Sequence, residues 1–174
     1  MRERFGAAVT WLPFDLHPEY PPEGIPRTQL TARYGDAFHG RLRESFAAAG
    51  LAYNPPPEIV PNTMAALRVT ELARDRGLHQ LVHDRLMDAY WAEARNIGDP
   101  AELRALTVET GLDEAEVDEV LAGDAYRDRV AASTAQALQA GATGVPAFLF
   151  DHRLLVLGAQ PREVFERAIA QLEA

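Results

Sequence analysis

The stretch Ala142-Thr143-Gly144-Val145-Pro146-Ala147-Phe148-Leu149-Phe150-Asp151 decides how this chain is read. Gly144-Val145-Pro146 marks a turn, and a short apolar run opens directly behind it. A second apolar run, Leu154 to Leu157, follows after Asp151-His152-Arg153. Two short runs around a polar turn predict a β-hairpin. Gly158-Ala159-Gln160-Pro161 then leads into a final helix, with Pro161 at the first turn, where its missing N–H costs nothing. Val164, Phe165, Ala168, Ile169 and Leu172 recur at helical spacing and form its expected buried stripe.

Upstream, the hydrophobic period changes. Thr28 to Ala140 reads as one helix after another. From Gln29 to Ala49, Leu30, Tyr34, Phe38, Leu42 and Phe46 keep helical spacing, and Gly50 stops the run. Pro55-Pro56-Pro57 and Pro61 break the chain. Asn62 is placed to cap a helix from Thr63 to Arg76, ended by Gly77. Another helix is expected from His79 to Ala94. Asp99-Pro100-Ala101-Glu102 and Asp113-Glu114-Ala115-Glu116 each put a carboxylate at the cap and a glutamate three residues later. Asp124 is expected to start a helix that continues to Gln139. At the other end, Ala8 to Phe14 is rich in β-branched and aromatic residues and predicts a strand, with Pro13 near an edge or bulge. Four prolines in the segment His17 to Pro26 forbid a helix there. The predicted layout is β…ββα, with helices inserted between the halves of a small sheet.

Composition excludes several functions. The chain has 174 residues, 47% of them hydrophobic, enough for a substantial core. Its net charge of -9 disfavours nucleic acid and anionic membranes, which need a Lys/Arg surplus. No run approaches the ~18 apolar residues of a membrane span. Met1-Arg2-Glu3-Arg4-Phe5 lacks the pattern of a signal peptide, so the expected location is cytoplasmic. There is no cysteine, which removes disulfides, thiolate catalysis and cysteine-based metal sites from these residues.

Six stretches carry a family resemblance: Trp11-Leu12-Pro13-Phe14-Asp15-Leu16-His17-Pro18; Pro21-Pro22-Glu23-Gly24; Asn62-Thr63 with Ala66; Ala89-Tyr90-Trp91 followed by Asn96-Ile97-Gly98; Gly144-Val145-Pro146; and Gly158-Ala159-Gln160. In this order and spacing the chain resembles the DsbA family of the thioredoxin superfamily, in its FrnE-like branch, over essentially its whole length. The resemblance implies an α/β thioredoxin-like fold with a large all-helical insertion. Residues 7–27 and 141–174 would form the thioredoxin-like domain, and 28–140 the insertion and connecting helix. Family members normally carry a further strand and a Cys-x-x-Cys motif at a helix start. That segment has no counterpart here, and the expectation is a chain lacking it by truncation. The alternative is a natural variant whose gap is filled by a partner chain. Leu67 also departs from the family pattern, where a polar or aromatic ring residue often stands.

The resemblance implies that Thr143, Gly144, Val145 and Pro146 form a cis-proline loop offering its backbone to an extended peptide or thiol substrate. The alternative is a plain trans turn before a strand. No catalytic residue is assigned. Asp75, His79 and His83 recur every four residues, the spacing of a metal site, but Gly77 interrupts their helix and solvated polar residues are the ordinary reading. Tyr90, Trp91 and Phe148 could line an apolar groove, although aromatics at helical spacing are usually core. His17 and His152 fall in loops, and Ser45 and Ser133 in helices without a glycine elbow, against a serine hydrolase. The acidic run Asp113 to Glu119 reads as a solvated helix face.

Three functions follow. The first is a DsbA/FrnE-like thiol–disulfide oxidoreductase scaffold without its redox cysteines, needing no cofactor. The second is a relative of the kappa-type glutathione transferases and 2-hydroxychromene-2-carboxylate isomerases, which use glutathione. The third is a non-catalytic peptide-binding or oligomerising module, for which a homodimer is an expected partner.

Overall fold

The computed structural model describes residues 5–35, 37–54 and 57–173 of the chain. Its contacts divide it into two compact units, His17–Val130 and Met1–Leu16 with Ala131–Ala174.

The unit His17–Val130 opens on a two-residue strand, β1 (Ile25–Pro26), antiparallel to β2 (Ile59–Val60). This pairing draws residues 17–27 into the helical unit, so the first division falls well before the 27/28 boundary expected from the sequence. The single helix expected from Gln29 to Ala49 is two: α1 (Arg27–Tyr34) and α2 (Ala37–Ala48). The break is at Gly35, whose φ of 74° is left-handed, and its N–H turns back to the Thr31 carbonyl. Helical spacing of Leu30, Leu42 and Phe46 runs through such a break unseen, because periodicity does not register one residue's backbone. Asp36, Pro55 and Pro56 lie outside the described residues, as do the side chains of Tyr34 and Phe38.

Four helices then build the core: α3 (Met64–Asp75), α4 (His79–Trp91), α5 (Pro100–Val108) and α6 (Glu114–Ala122). Asn62 caps α3, its Oδ1 accepting from the Met64 N–H at 3.0 Å, and Gly77 at φ 72° ends it. α4 stops three residues short of the expected Ala94. That residue is itself left-handed at φ 56°, and the Arg95 N–H closes onto the Ala89 carbonyl at 2.8 Å. Both carboxylate caps form. Asp99 accepts from the Glu102 N–H at 3.0 Å with Pro100 at the first turn, and Asp113 accepts from the Glu116 N–H at 3.1 Å. Val69, Val82, Leu103, Leu106 and Val117 are wholly buried where these helices meet, each worth about 1.5–3 kcal/mol. Asp99→Ala is expected to cost about 1 kcal/mol, since the Glu102 amide loses its acceptor, and a urea titration followed by circular dichroism checks it.

α7 (Arg127–Gln139) starts three residues after Asp124 because Tyr126 is left-handed, at φ 65°. Its first turn belongs to the helical unit. From Ala131 onward it belongs to the second unit, which moves that division from the expected 140/141.

In the second unit, β3 (Ala147–Phe150) pairs antiparallel with β4 (Leu154–Leu157), Phe148 opposite Val156 and Phe150 opposite Leu154. The hairpin has the bounds expected from the sequence. Asp151 and His152, at φ 46° and 56°, turn the chain, and the Arg153 N–H returns to the Phe150 carbonyl at 2.9 Å. α8 (Arg162–Glu173) packs its Phe165 edge-on against Phe148, with ring centroids 4.9 Å apart, and buries Ala168.

The expected strand at Ala8–Phe14 is not one: no ladder includes these residues. β propensity makes a segment extended, but a strand exists only with a neighbour for its N–H and C=O groups. Here Pro13 lacks a donor, and α7 supplies side-chain partners instead. Ser133 Oγ donates to the Pro13 carbonyl at 2.8 Å, and Thr134 Oγ1 accepts from the Asp15 N–H at 2.9 Å.

Candidate functional site

The loop Thr143–Pro146 is built from both sides. Upstream, Gly141 at φ 93° ends α7, and the Ala142 N–H closes onto the Ala137 carbonyl at 2.9 Å. Ala142 is buried and anchors the loop base. Downstream, the Pro146 carbonyl accepts from the Gly158 N–H at 2.8 Å. Gly158 needs its φ of 78° to make that approach. The Gln160 side chain ties the same corner by donating to the Leu157 carbonyl at 2.8 Å. Two of the six sequence stretches, Gly144-Val145-Pro146 and Gly158-Ala159-Gln160, thus meet in one hydrogen-bonded corner.

Between the anchors the loop faces solvent. Thr143, Val145 and Pro146 are exposed, Val145 at 56%. A Cβ added at Gly144 would meet nothing within 4 Å. The Val145–Pro146 peptide bond is cis. On the following hairpin, Leu149 and Leu157 are exposed large apolar side chains. Such a loop can offer backbone donors and acceptors, with apolar contact beside them, to an extended chain. Its one reactive side-chain group is the Thr143 hydroxyl; it carries no thiol and no side chain that titrates near neutral pH.

Parts of three other stretches meet within the helical unit, around Pro61-Asn62. Asn62 Nδ2 donates to the Tyr20 carbonyl at 2.7 Å, while its Oδ1 caps α3. Gly24, at φ 79°, lies against Val60, Ile59 and Pro61. Gly98 lies against Pro61 and Asn62, and its N–H donates to Asn96 Oδ1 at 3.0 Å. His17 stacks on Tyr20 at 4.3 Å and bonds Glu19. These residues hold a junction of loops together.

The remaining candidates separate. Tyr90 and Trp91 join Phe46 and Tyr53 in an aromatic cluster, Trp91 lying 5.5 Å from Phe46. Phe148 is in the other unit, against Phe165. Asp75 does not face the histidines. Arg129 donates to both its oxygens at 2.8 and 3.2 Å, and Tyr126 adds a third bond at 3.1 Å. The Arg129 bonds come first among the causes that hold this carboxyl below its ordinary value. His79 and His83 stack with centroids 6.0 Å apart. Among the described residues no three His, Cys, Asp or Glu side chains form a metal-binding group. Ser45 Oγ bonds the Arg41 carbonyl on its own helix. His152 sits in the hairpin turn. Leu67 is half-buried on α3. In the acidic run, Glu114 and Asp118 pair with Arg104, and Glu116 with Arg76.

Two arginines escape sequence reasoning. Arg68 is buried, and its guanidinium donates to the carbonyls of Ala125 at 2.7 Å, Gly123 at 2.6 Å and Val120. Burial, then neighbouring Arg127, pushes it below its ordinary pKa, with Asp124 opposing. Its signal in the sequence is a charge set among Ala66, Val69 and Leu72. Arg27 bonds the Pro57 carbonyl at 2.6 Å and the Tyr90 hydroxyl at 3.0 Å. No local pattern announces it.

Comparison with known proteins agrees with this architecture. The chain is 38% identical to a probable DsbA oxidoreductase from Streptomyces coelicolor, whose crystal structure superposes with a TM-score of 0.88 over 97% of this chain and 76% of that one. A 2-hydroxychromene-2-carboxylate isomerase superposes with a TM-score of 0.78 at 19% identity, over 98% of this chain and 84% of the other, a likeness of fold. The uncharacterized protein YwbO of Bacillus subtilis (strain 168) is 28% identical over 164 residues, 93% of this chain and 80% of that protein. Among the described residues no helix is long and apolar enough to cross a membrane. Residues 1–170 match the DSBA-like thioredoxin domain, and the chain belongs to that family and has its mixed α/β thioredoxin fold.

Proposed function

We propose that this chain is the substrate-holding scaffold of a DsbA-type, FrnE-like thiol–disulfide oxidoreductase. Thr143, Gly144, Val145 and Pro146, as its cis-proline loop, take an extended peptide or thiol substrate. The observation that carries this reading is the loop itself, anchored at Ala142 and Gly158 and exposed between them. Disulfide exchange needs a thiolate that attacks one sulfur of the substrate and expels the other. These 174 residues contain no cysteine. The chain alone therefore binds a disulfide-bearing peptide and leaves its disulfide intact. The proposed compartment is the cytoplasm, in keeping with a chain that needs no oxidising environment for bonds of its own.

The test is titration of an extended, disulfide-bearing peptide followed by amide chemical shifts. Shifts are expected at Thr143 to Val145, and Val145→Asp is expected to weaken binding about tenfold, or ~1.4 kcal/mol. Shifts confined to other residues would refute the reading.

A glutathione-dependent function is the second reading, supported by the fold likeness to the isomerase and by the absence of cysteine. Glutathione shifting the same amides, with no response to peptide, would replace the first reading by this one. An oligomerising module is the third, supported by exposed Leu12, Leu149 and Leu157. It predicts a homodimer by sedimentation.

A further inference from the structure

We propose that Arg74 and His79 form an acid-released latch across the turn between α3 and α4. Arg74 Nη2 lies 2.8 Å from His79 Nε2. A guanidinium only donates, so Nε2 must accept, and an accepting Nε2 carries no proton. The imidazole is therefore neutral while the latch is closed. Arg74 also grips Glu71, whose side chain is 3% exposed, through Nε at 3.1 Å to both carboxylate oxygens. The contact thus ties the first residue of α4 to a buried ion pair on α3. The contact spans the tight turn at Gly77-Leu78, where the Leu78 N–H donates to the Ala73 carbonyl at 2.8 Å.

Protonating Nε2 replaces an acceptor by a donor and sets two cations in contact. His79 is also the first residue of α4, where the helix dipole disfavours positive charge. The charged groups facing it are Arg74 and Glu71 from α3 and His83 and Asp84 from its own helix. α3 and α5 both pack on α4, but their remaining charges are engaged elsewhere. On α3, Arg68 bonds three carbonyls and Asp75 pairs with Arg129. On α5 and at its end, Glu102 pairs with Arg95, Arg104 with Asp118, and Glu109 with Arg85. Glu71 and Asp84 favour the charged ring, while burial, Arg74 and His83 oppose it and prevail, holding His79 below its ordinary 6.5. His83, beside it, is lowered by its own burial. The unfolded chain then binds protons more strongly than the folded one. The stability carried by neutral His79 is complete above the ordinary value and is lost as pH falls from there through the folded value.

Two measurements test the latch. In the unmodified protein, the His79 imidazole should titrate below 6.5 by NMR, the ordinary value, and the hydrogen-exchange protection factor of the Leu78 amide should fall on acidification. In His79→Gln, which keeps an acceptor but cannot be charged, that fall should vanish. Between about pH 7.5 and pH 5.5 the wild type should lose up to about tenfold more of its folded-to-unfolded ratio than the variant, the limit set by ending about one pH unit below the ordinary value. His79 titrating at or above its ordinary value, or equal acid loss in both proteins, would overturn the proposal.

Discussion

Arg68→Met is expected to destabilise the helical unit by about 3–5 kcal/mol, a large share of the ~5–15 kcal/mol that holds a domain folded. The guanidinium donates to the carbonyls of Val120, Gly123 and Ala125 from a nearly closed site. Those carbonyls lie where α6 ends and the chain turns toward α7, so each lacks a helical partner. One buried side chain satisfies all three. Methionine keeps the length and apolar stem but leaves the acceptors without donors, at about 1–3 kcal/mol each before water enters. Arg68→Lys should recover only part of the loss, because an ammonium cannot fork across three acceptors as a planar guanidinium does. Urea unfolding followed by circular dichroism measures both variants. Equal midpoints for wild type and Arg68→Met would show that water replaces the clamp at no cost.

The second large effect is at Gly24. Gly24→Ala is expected to cost about 2–4 kcal/mol, from two sources that add. The residue has a φ of 79°, which an L side chain adopts only under strain. The new methyl would also collide with the Val60 carbonyl, with Ile59 Cγ2 at 2.8 Å and with Pro61 Cα at 3.2 Å. Two of these atoms are backbone and cannot move aside, since β2 is paired to β1 at that point. Gly77→Ala makes the comparison. Its φ of 72° is similar, but nothing lies within 4 Å of the added methyl, so only the conformational cost of about 1 kcal/mol should appear. The difference between their urea midpoints isolates the close approach at the Pro61-Asn62 junction. Equal losses would mean that β2 yields.

Much of this architecture was legible residue by residue. The hairpin, the two carboxylate caps and the Asn62 cap depend on contacts within about four residues, and their chemistry is written in the residues that make them. The breaks at Gly35 and Tyr126 were not legible. A left-handed residue leaves hydrophobic spacing unchanged on both sides, and a tyrosine there gives no warning. Part of the site was legible too. The Thr143–Pro146 stretch is a solvent-facing loop, while the aromatic trio divides between the two units because helical spacing says nothing of which element an aromatic meets.

By itself the sequence determined the hairpin, the caps at Asn62, Asp99 and Asp113, and the absence of a thiol from the chemistry these residues can perform. Those properties are local or compositional and need no partner. Tertiary structure alone decided that Ala8–Phe14 joins no ladder, that Arg68 closes the α6–α7 corner, and that Gly24 and Gly98 converge on Pro61-Asn62. Each depends on residues tens of positions apart, where a hydrogen bond or a steric contact exists only once the fold has brought its two sides together.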